Sequence, residues 1–177
     1  HMGLVLMGLA TMNTIGVNGA VLQMFAHGVM TATFFAMVGS IYDQTHTRDM
    51  RLYSGLVHRM PLFVFFFGLA GLASLGLPGL AGFVAEFHIF VGAFRTYPWA
   101  GALGIFAAAM TAVYILRMMG MSMFGPVDDK WNDLKEMTYL ERGTAVLLLS
   151  FMLFMGLWPA PFIDRIQETV RVLPGVS

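Results

Sequence analysis

Residues 60–94 read MPLFVFFFGLAGLASLGLPGLAGFVAEFHIFVGAF, thirty-five positions with no Lys or Arg and one carboxylate, Glu86. As one straight helix the run would measure about 52 Å at ~1.5 Å per residue. The hydrocarbon of a bilayer is about 30 Å thick, so the segment must tilt steeply or break. Pro78-Gly79, with Gly82 close behind, supplies a break: proline removes a ladder hydrogen bond, and a spanning helix tolerates the loss only against protein or a water-lined cavity. A carboxylate at mid-depth costs several kcal/mol unless it is protonated, paired or hydrated, and such residues are usually functional. An ionisable group beside a broken helix points to ion or proton transfer.

The remainder of the chain fits that setting. Of 177 residues, 58% are hydrophobic and 11% charged, and the formal net charge is zero. A soluble domain carries about 25% charged residues, so the composition describes an all-α polytopic transmembrane protein. The neutral balance and the lack of a basic cluster argue against nucleic acid as a partner and leave lipid as the surroundings. No cysteine is present, which excludes disulfides, thiolate metal sites and thioether-linked haem. The sixteen Met and sixteen Phe are scattered over every segment and read as lipid-facing or gap-filling side chains.

Hydropathy divides the chain into one partial and four complete spans. The end of a helix runs from His1 to about Met12 and is closed by Asn13-Thr14-Ile15-Gly16. A second span covers Val17 to Tyr42, and a charged loop follows from Asp43 to Arg59. The interrupted segment comes next, then a span from Pro98 to Phe124, a polar loop from Gly125 to Arg142, a span from Gly143 to Trp158 ended by Pro159 and Pro161, and an amphipathic surface tail from Phe162 to Val172. The polar loop holds Trp131 amid Asp128, Asp129, Lys130 and Asp133. Met2 to Ala10 is about half a span, and His1 stands where a natural chain carries Met. Either Met2 follows a cloning remnant or, as the half-span favours, the chain is the distal part of a longer protein.

Basic residues set the orientation. Arg48, Arg51, Arg59, Arg117, Lys130, Lys135 and Arg142 fall on one side, against Arg95, Arg165 and Arg171 on the other, seven to three. The positive-inside rule puts the first group in the cytoplasm and the C-terminal tail outside.

Depth then joins three ionisable groups. His1 lies ten residues, about 15 Å, from the outer end of its helix near Thr11. His27, entered from Asn18, and Glu86, nine residues from Arg95, are each about 13 to 14 Å deep. All three reach one level, which is what a horizontal proton route needs. The bland readings are a buried carbonyl partner for His27 and a hydrogen-bonding clamp at the helix break for Glu86. Gln23 and Thr31 flank His27 at i−4 and i+4 and can order water. Ser74, one turn before Pro78, can satisfy a freed carbonyl locally. His88 points away from Glu86 as an accessory or packing residue, and Thr111 and Tyr114 share a face of the fourth span that suits lining or helix contact. Helix spacing of 8 to 10 Å requires water between the relay groups. Asp43, His46, Arg48 and Asp49 match no metal-ligand spacing. Gly68, Gly71, Gly76, Gly79 and Gly82 read as close-packing and hinge positions.

Four motifs in order carry a resemblance: His1-Met2-Gly3; Gln23-Met24-Phe25-Ala26-His27-Gly28; Tyr42-Asp43-Gln44-Thr45-His46-Thr47-Arg48-Asp49; and Leu72-Ala73-Ser74-Leu75-Gly76-Leu77-Pro78-Gly79 with Phe83-Val84-Ala85-Glu86-Phe87. They span nearly the first half of the chain, which resembles the distal part of the antiporter-like chain M, or chain 4, of proton-pumping NADH:quinone oxidoreductase, respiratory complex I. The second half is similar mainly in hydropathy. The resemblance implies a fourteen-helix core with two inverted five-helix repeats and two interrupted helices, with His1 in the tenth helix, His27 in the eleventh and Glu86 in the interrupted twelfth. Residues 1–177 would form the C-terminal part of a proton-translocating antiporter-like membrane domain, in which the two histidines belong to a central hydrophilic axis and the carboxylate to the outward half-channel. Related chains L and N, and sodium/proton antiporters, generally carry Lys at the position of Glu86, so the acid favours chain M. The first repeat, with its charged pair and central Lys, is absent from this chain.

The implied assembly is a translocase in a bacterial inner membrane or the inner membrane of an energy-transducing organelle. Other membrane subunits of complex I, antiporter-like neighbours especially, would be the partners. This chain would bind no cofactor, and NADH, flavin, iron-sulfur clusters and quinone would sit in the other subunits. The alternatives are a subunit of a cation/proton antiporter or membrane-bound hydrogenase, and a structural membrane scaffold whose polar groups only hold helices together.

Overall fold

The computed structural model describes residues 1–126 and 129–176, so the loop residue Asp128 lies outside the described residues. Seven α-helices are seen among them: α1 Met2–Ala10, α2 Thr14–Thr45, α3 Pro61–Ser74, α4 Ala81–Thr96, α5 Pro98–Met123, α6 Tyr139–Leu157 and α7 Ala160–Val170. Thr14–Thr45, Pro98–Met123 and Tyr139–Leu157 are each long and apolar enough to cross a membrane. With α3 and α4 as the two halves of an interrupted span, the chain is an all-α polytopic membrane protein.

Local chemistry sets the boundaries. Asn13, expected to help close the first helix, instead opens the second: its Oδ1 accepts from the Gly16 amide at 2.8 Å. That N-cap gives α2 three residues more than hydropathy suggested, because the cap satisfies an amide that a hydrophobicity window ignores. The Asn13 amide also donates to Gly92 O and Thr96 Oγ1, both at 2.9 Å, tying the start of α2 to the end of α4. At the other end α2 continues to Thr45, where His46 adopts a left-handed conformation. A capping box between Thr138 and Glu141 starts α6 four residues before the expected Gly143. Pro159 and Pro161 do end α6, yet they also open α7, where a missing amide is no loss.

The long apolar run breaks around Pro78-Gly79 as expected, with its first helix ending one turn before them. α3 stops at Ser74, and Gly76, at φ +65°, lets the chain turn while Leu77 N bonds back to Leu72 O at 3.2 Å. This left-handed glycine closes the helix in the manner of a Schellman turn, leaving Pro78 and Gly79 inside the six-residue connection. Gly82 lies in the first turn of α4, where a Cβ would come 2.8 Å from Ala73 O, so it packs α4 onto the end of α3.

α2 is the central helix, lying against α1, α3, α4, α6 and α7. Its tightest contact is with α4, where a Cβ on Gly19 would stand 2.7 Å from Ile89 N. Ala20, Ala85 and Ala93 are fully buried nearby. Lipid is as apolar as leucine, so close backbone approach through small residues gains the dispersion energy that hydrophobicity alone does not supply between helices. The other faces are open to lipid: Phe35, Trp99, Phe106 and Leu147 are all exposed.

The loops 46–60 and 124–138 meet at one end of the bundle. Trp131 Nε1 donates to Leu52 O at 2.7 Å, Ser54 Oγ to Pro126 O at 2.8 Å, and Arg59 hydrogen-bonds Asn132. Gln44 and Lys135 exchange two bonds, at 3.0 and 2.8 Å. The Glu136 carboxylate accepts from the amides of Leu62 and Phe63 at 2.8 and 3.2 Å, capping α3 from a distant loop. α7 lies against α2 and α6, with Phe162 packed on Phe25, Phe151 and Phe154.

Candidate proton-transfer site

α3 ends where Ser74 O has no amide of its own helix to accept from, and that carbonyl faces His1. His1 Nε2 lies 3.0 Å from Ser74 O and 3.4 Å from Ser74 Oγ. Glu86, in the second turn of α4, brings Oε1 to 4.0 Å from the same Nε2. On the other side the His1 and His27 rings stand 5.4 Å apart, centre to centre. The three groups expected at one depth therefore meet around the helix break. Their separations are well below the 8 to 10 Å of neighbouring helices, because the side chains reach inward from α1, α2 and α4. One short step, rather than a long water chain, separates His1 from Glu86.

Glu86 is buried beside the turn: a Cβ on Gly76 would lie 2.7 Å from its Oε2. Gly76 was legible only as one of several hinge glycines. Its second use, leaving room for a carboxylate, has no signal in sequence spacing. Gln23 is 1% exposed and its side chain faces Glu86 from α2, while its Oε1 has no hydrogen-bond partner among the described residues. The expectation set Gln23 beside His27; four residues along one helix face also suffices to reach across to α4.

A cavity of about 40 Å³ is lined by His1, Leu4, Ser74, Leu75, Glu86 and Thr111, among others, which is room for a water molecule. Thr111 reaches this cavity from α5, and its hydroxyl donates to Ala107 O at 3.1 Å. Tyr114 does not share its surroundings: it is 56% exposed on the outer face of α5. Three residues along a helix is 300°, so a shared stripe did not guarantee a shared environment. Thr31 donates to His27 O at 2.6 Å, spending its proton on its own helix. His88 turns from Glu86 and bonds Val84 O at 2.7 Å through Nδ1, with its Cβ against Gly19. Ser74 was expected to satisfy a freed carbonyl with its hydroxyl; instead its own freed carbonyl is met by the His1 ring, because the turn at Gly76 carries the chain away from it.

The charged loop is held by pairing. Arg51 donates to Asp49 at 2.8 Å, and that hydrogen bond holds the Asp49 carboxyl down at about 2. The Arg48 guanidinium covers the Tyr42 ring at 4.6 Å. No group of three or more His, Asp or Glu side chains among the described residues is placed to hold a metal ion.

A multipass helical bundle with an interrupted helix and a carboxylate–histidine cluster at the break defines a class of membrane protein, and comparison narrows it. Residues 1–111 match the model of the NADH:quinone oxidoreductase/Mrp antiporter transmembrane family, and the chain belongs to that family. NADH-quinone oxidoreductase subunit M of Rhodobacter capsulatus is 36% identical over 174 residues, covering 98% of this chain and 34% of that protein. F(420)H(2) dehydrogenase subunit M of Methanosarcina mazei is 34% identical over 177 residues, covering 100% of this chain and 36% of that protein. Respiratory complex I from Thermus thermophilus contains a chain that superposes with a TM-score of 0.87 at 29% identity, over 96% of this chain and 36% of that one. The chain thus spans about a third of the length of the curated relatives it matches.

Proposed function

We propose that this chain is the C-terminal part of a proton-translocating, antiporter-like subunit of NADH:quinone oxidoreductase, coupling quinone reduction in other subunits to proton transfer across the membrane. The observation that carries the reading is the cluster at the helix break: His1 Nε2 stands 4.0 Å from the buried Glu86 carboxylate and its ring 5.4 Å from that of His27. Each group's charge alters the proton affinity of the next, so the three titrate as a coupled set and a charge change at one end propagates along it. A scaffold would need hydrogen bonds only, whereas here an acid and an imidazole line a small polar cavity and a second imidazole stands beside the first. Likeness at similar identity to subunits named for NADH and for F(420)H(2) dehydrogenases fits a role that does not depend on the electron donor.

The membrane would be a bacterial inner membrane, with the loops 46–60 and 124–138 in the cytoplasm and α7 on the outer face. Seven basic residues against three support that orientation. NADH, flavin, iron-sulfur clusters and quinone would reside in partner subunits, and antiporter-like neighbours would flank this chain.

The test is proton uptake by vesicles holding the intact complex, measured beside quinone reduction by the same preparation. Glu86→Gln keeps size and hydrogen bonding but removes the titratable proton. Lower proton movement per quinone with the complex assembled is expected. An unchanged ratio would make the carboxylate a clamp at the break and overturn the reading.

A further inference from the structure

Ser74 presents two atoms of opposite hydrogen-bonding character to one nitrogen of His1. Its main-chain oxygen, 3.0 Å away, can only accept, so it suits Nε2 carrying a proton. Its hydroxyl, 3.4 Å away, can donate, so it suits Nε2 carrying a lone pair. The carbonyl is available because α3 stops there: Gly76 N goes to Ala73 O and Leu77 N to Leu72 O, passing Ser74 O by. Other groups around the ring are Glu86 from α4, His27 from α2 and Thr111 from α5, of which Glu86 and His27 titrate.

We infer that Ser74 is a positioning residue that holds the His1 ring in place through both of its protonation states, using the carbonyl at the helix break for one and its hydroxyl for the other. The inference rests on the proton-transfer reading above. In the step, the Nε2–H bond of a His1 imidazolium breaks, its electron pair stays on Nε2, and an O–H bond forms on Glu86, directly or through one water. A cation and an anion become two neutral groups. Nε2 then has a lone pair pointing at the Ser74 carbonyl oxygen, which is repulsive. The Ser74 hydroxyl relieves this by donating, so the ring keeps its place with the remaining proton on Nδ1. Neutral His1 is thereby fixed as the Nδ1–H tautomer, with Nε2 ready to receive the next proton.

Nitrogen-15 NMR of histidine-labelled complex, with His1 assigned by the signal lost when that residue alone is replaced, reads the tautomer directly. In the parent, neutral His1 is expected as the Nδ1–H form. Ser74→Ala removes the donor and leaves the carbonyl, so the ratio should move toward the Nε2–H form by up to about tenfold, the weight of one hydrogen bond. The proton-to-quinone ratio should drop in the same preparation. Where Ser74→Ala fails to assemble, the isosteric pair Ser74→Thr and Ser74→Val separates shape from the hydroxyl: Thr should retain the parent tautomer and Val lose it. An unchanged tautomer ratio in Ala, or equal ratios in Thr and Val, overturns the inference. Glu86→Gln run in parallel keeps the two readings apart. If that variant uncouples while Ser74→Ala leaves the tautomer unchanged, only the role of Ser74 falls; if it does not uncouple, the proton-transfer reading itself falls.

Discussion

α5 and the α3–α4 pair both cross the apolar layer, but only one of them builds a site. α5 runs unbroken from Pro98 to Met123, and just Gly101, Gly104, Ile115, Ser122 and Met123 are buried along it. Its Thr111 and Ser122 hydroxyls return to carbonyls one turn back, at 3.1 and 2.8 Å. An intact ladder leaves almost no polar valence for a partner. The interrupted pair leaves a carbonyl at Ser74, accommodates a carboxylate against Gly76 and draws His1 to both. In lipid, where each unpaired backbone group costs several kcal/mol, a break becomes a place that other groups must complete.

The contrast can be broken most severely at the carboxylate. Glu86→Gln should lower protons moved per quinone reduced by about tenfold or more, the scale of a lost proton-transfer group, while Tyr114→Phe on α5 leaves the ratio at the parent value. Paired vesicle assays of the two variants check this. His27→Phe should also reduce the ratio, and His88→Phe should not, since its ring bonds Val84 O and turns from the cluster; the same assay ranks them.

Packing offers a second contrast. A side chain at Gly19 meets α4 backbone within 2.7 Å, whereas one at Gly120 of α5 meets nothing within 4 Å. Gly19→Leu should destabilise the fold by about 3 kcal/mol through overpacking. Gly120→Ala should stabilise it by up to about 1 kcal/mol through helix propensity. Thermal unfolding of the purified assembly reads both; a destabilised Gly120→Ala would show that this face of α5 is covered.

The smallest effect lies outside the membrane. The Asp49 carboxyl, ordinarily at 3.8, is held at about 2 by Arg51. A lowered carboxylate pKa adds stability that is present above the unfolded value and lost as pH falls toward the folded one. The loop's ion pair is therefore retained at pH 4 and lost as pH falls through about 2. Arg51→Gln should raise the titration, followed by carbon-13 NMR of the Asp49 carboxyl, part of the way back toward 3.8, because the main-chain amide of residue 51 still donates to Asp49.

The spans, the break and the grouping of three ionisable residues were legible because they depend on helical rise and on the cost of charge in lipid, both of which are one-dimensional. Caps were less so: Asn13 and the Thr138–Glu141 box moved the starts of α2 and α6 outward, since a cap is a hydrogen bond and hydropathy averages it away. The partners at the site were least legible. Ser74 acts through a main-chain oxygen, which no residue type announces, and Gly76 acts through the absence of a side chain. Tyr114 and Thr111 show the converse, two polar residues of similar promise that the packing of α5 separates.

One fastening at the far end of α3 changes how that helix behaves as a mechanical part. The Glu136 carboxylate grips the first free amides of α3 from the 124–138 loop, and the other end of the helix finishes at Ser74 against His1. Fourteen residues make a stiff rod about 21 Å long. Pivoted at its base, such a lever swings its tip by about 1 Å for a tilt of about 3°. That travel would carry the Ser74 carbonyl from its 3.0 Å contact with His1 out to about 4 Å, beyond hydrogen-bond reach. A displacement of the loop at one end of α3 is thus geared to the scale on which the hydrogen bond at its other end is made or lost.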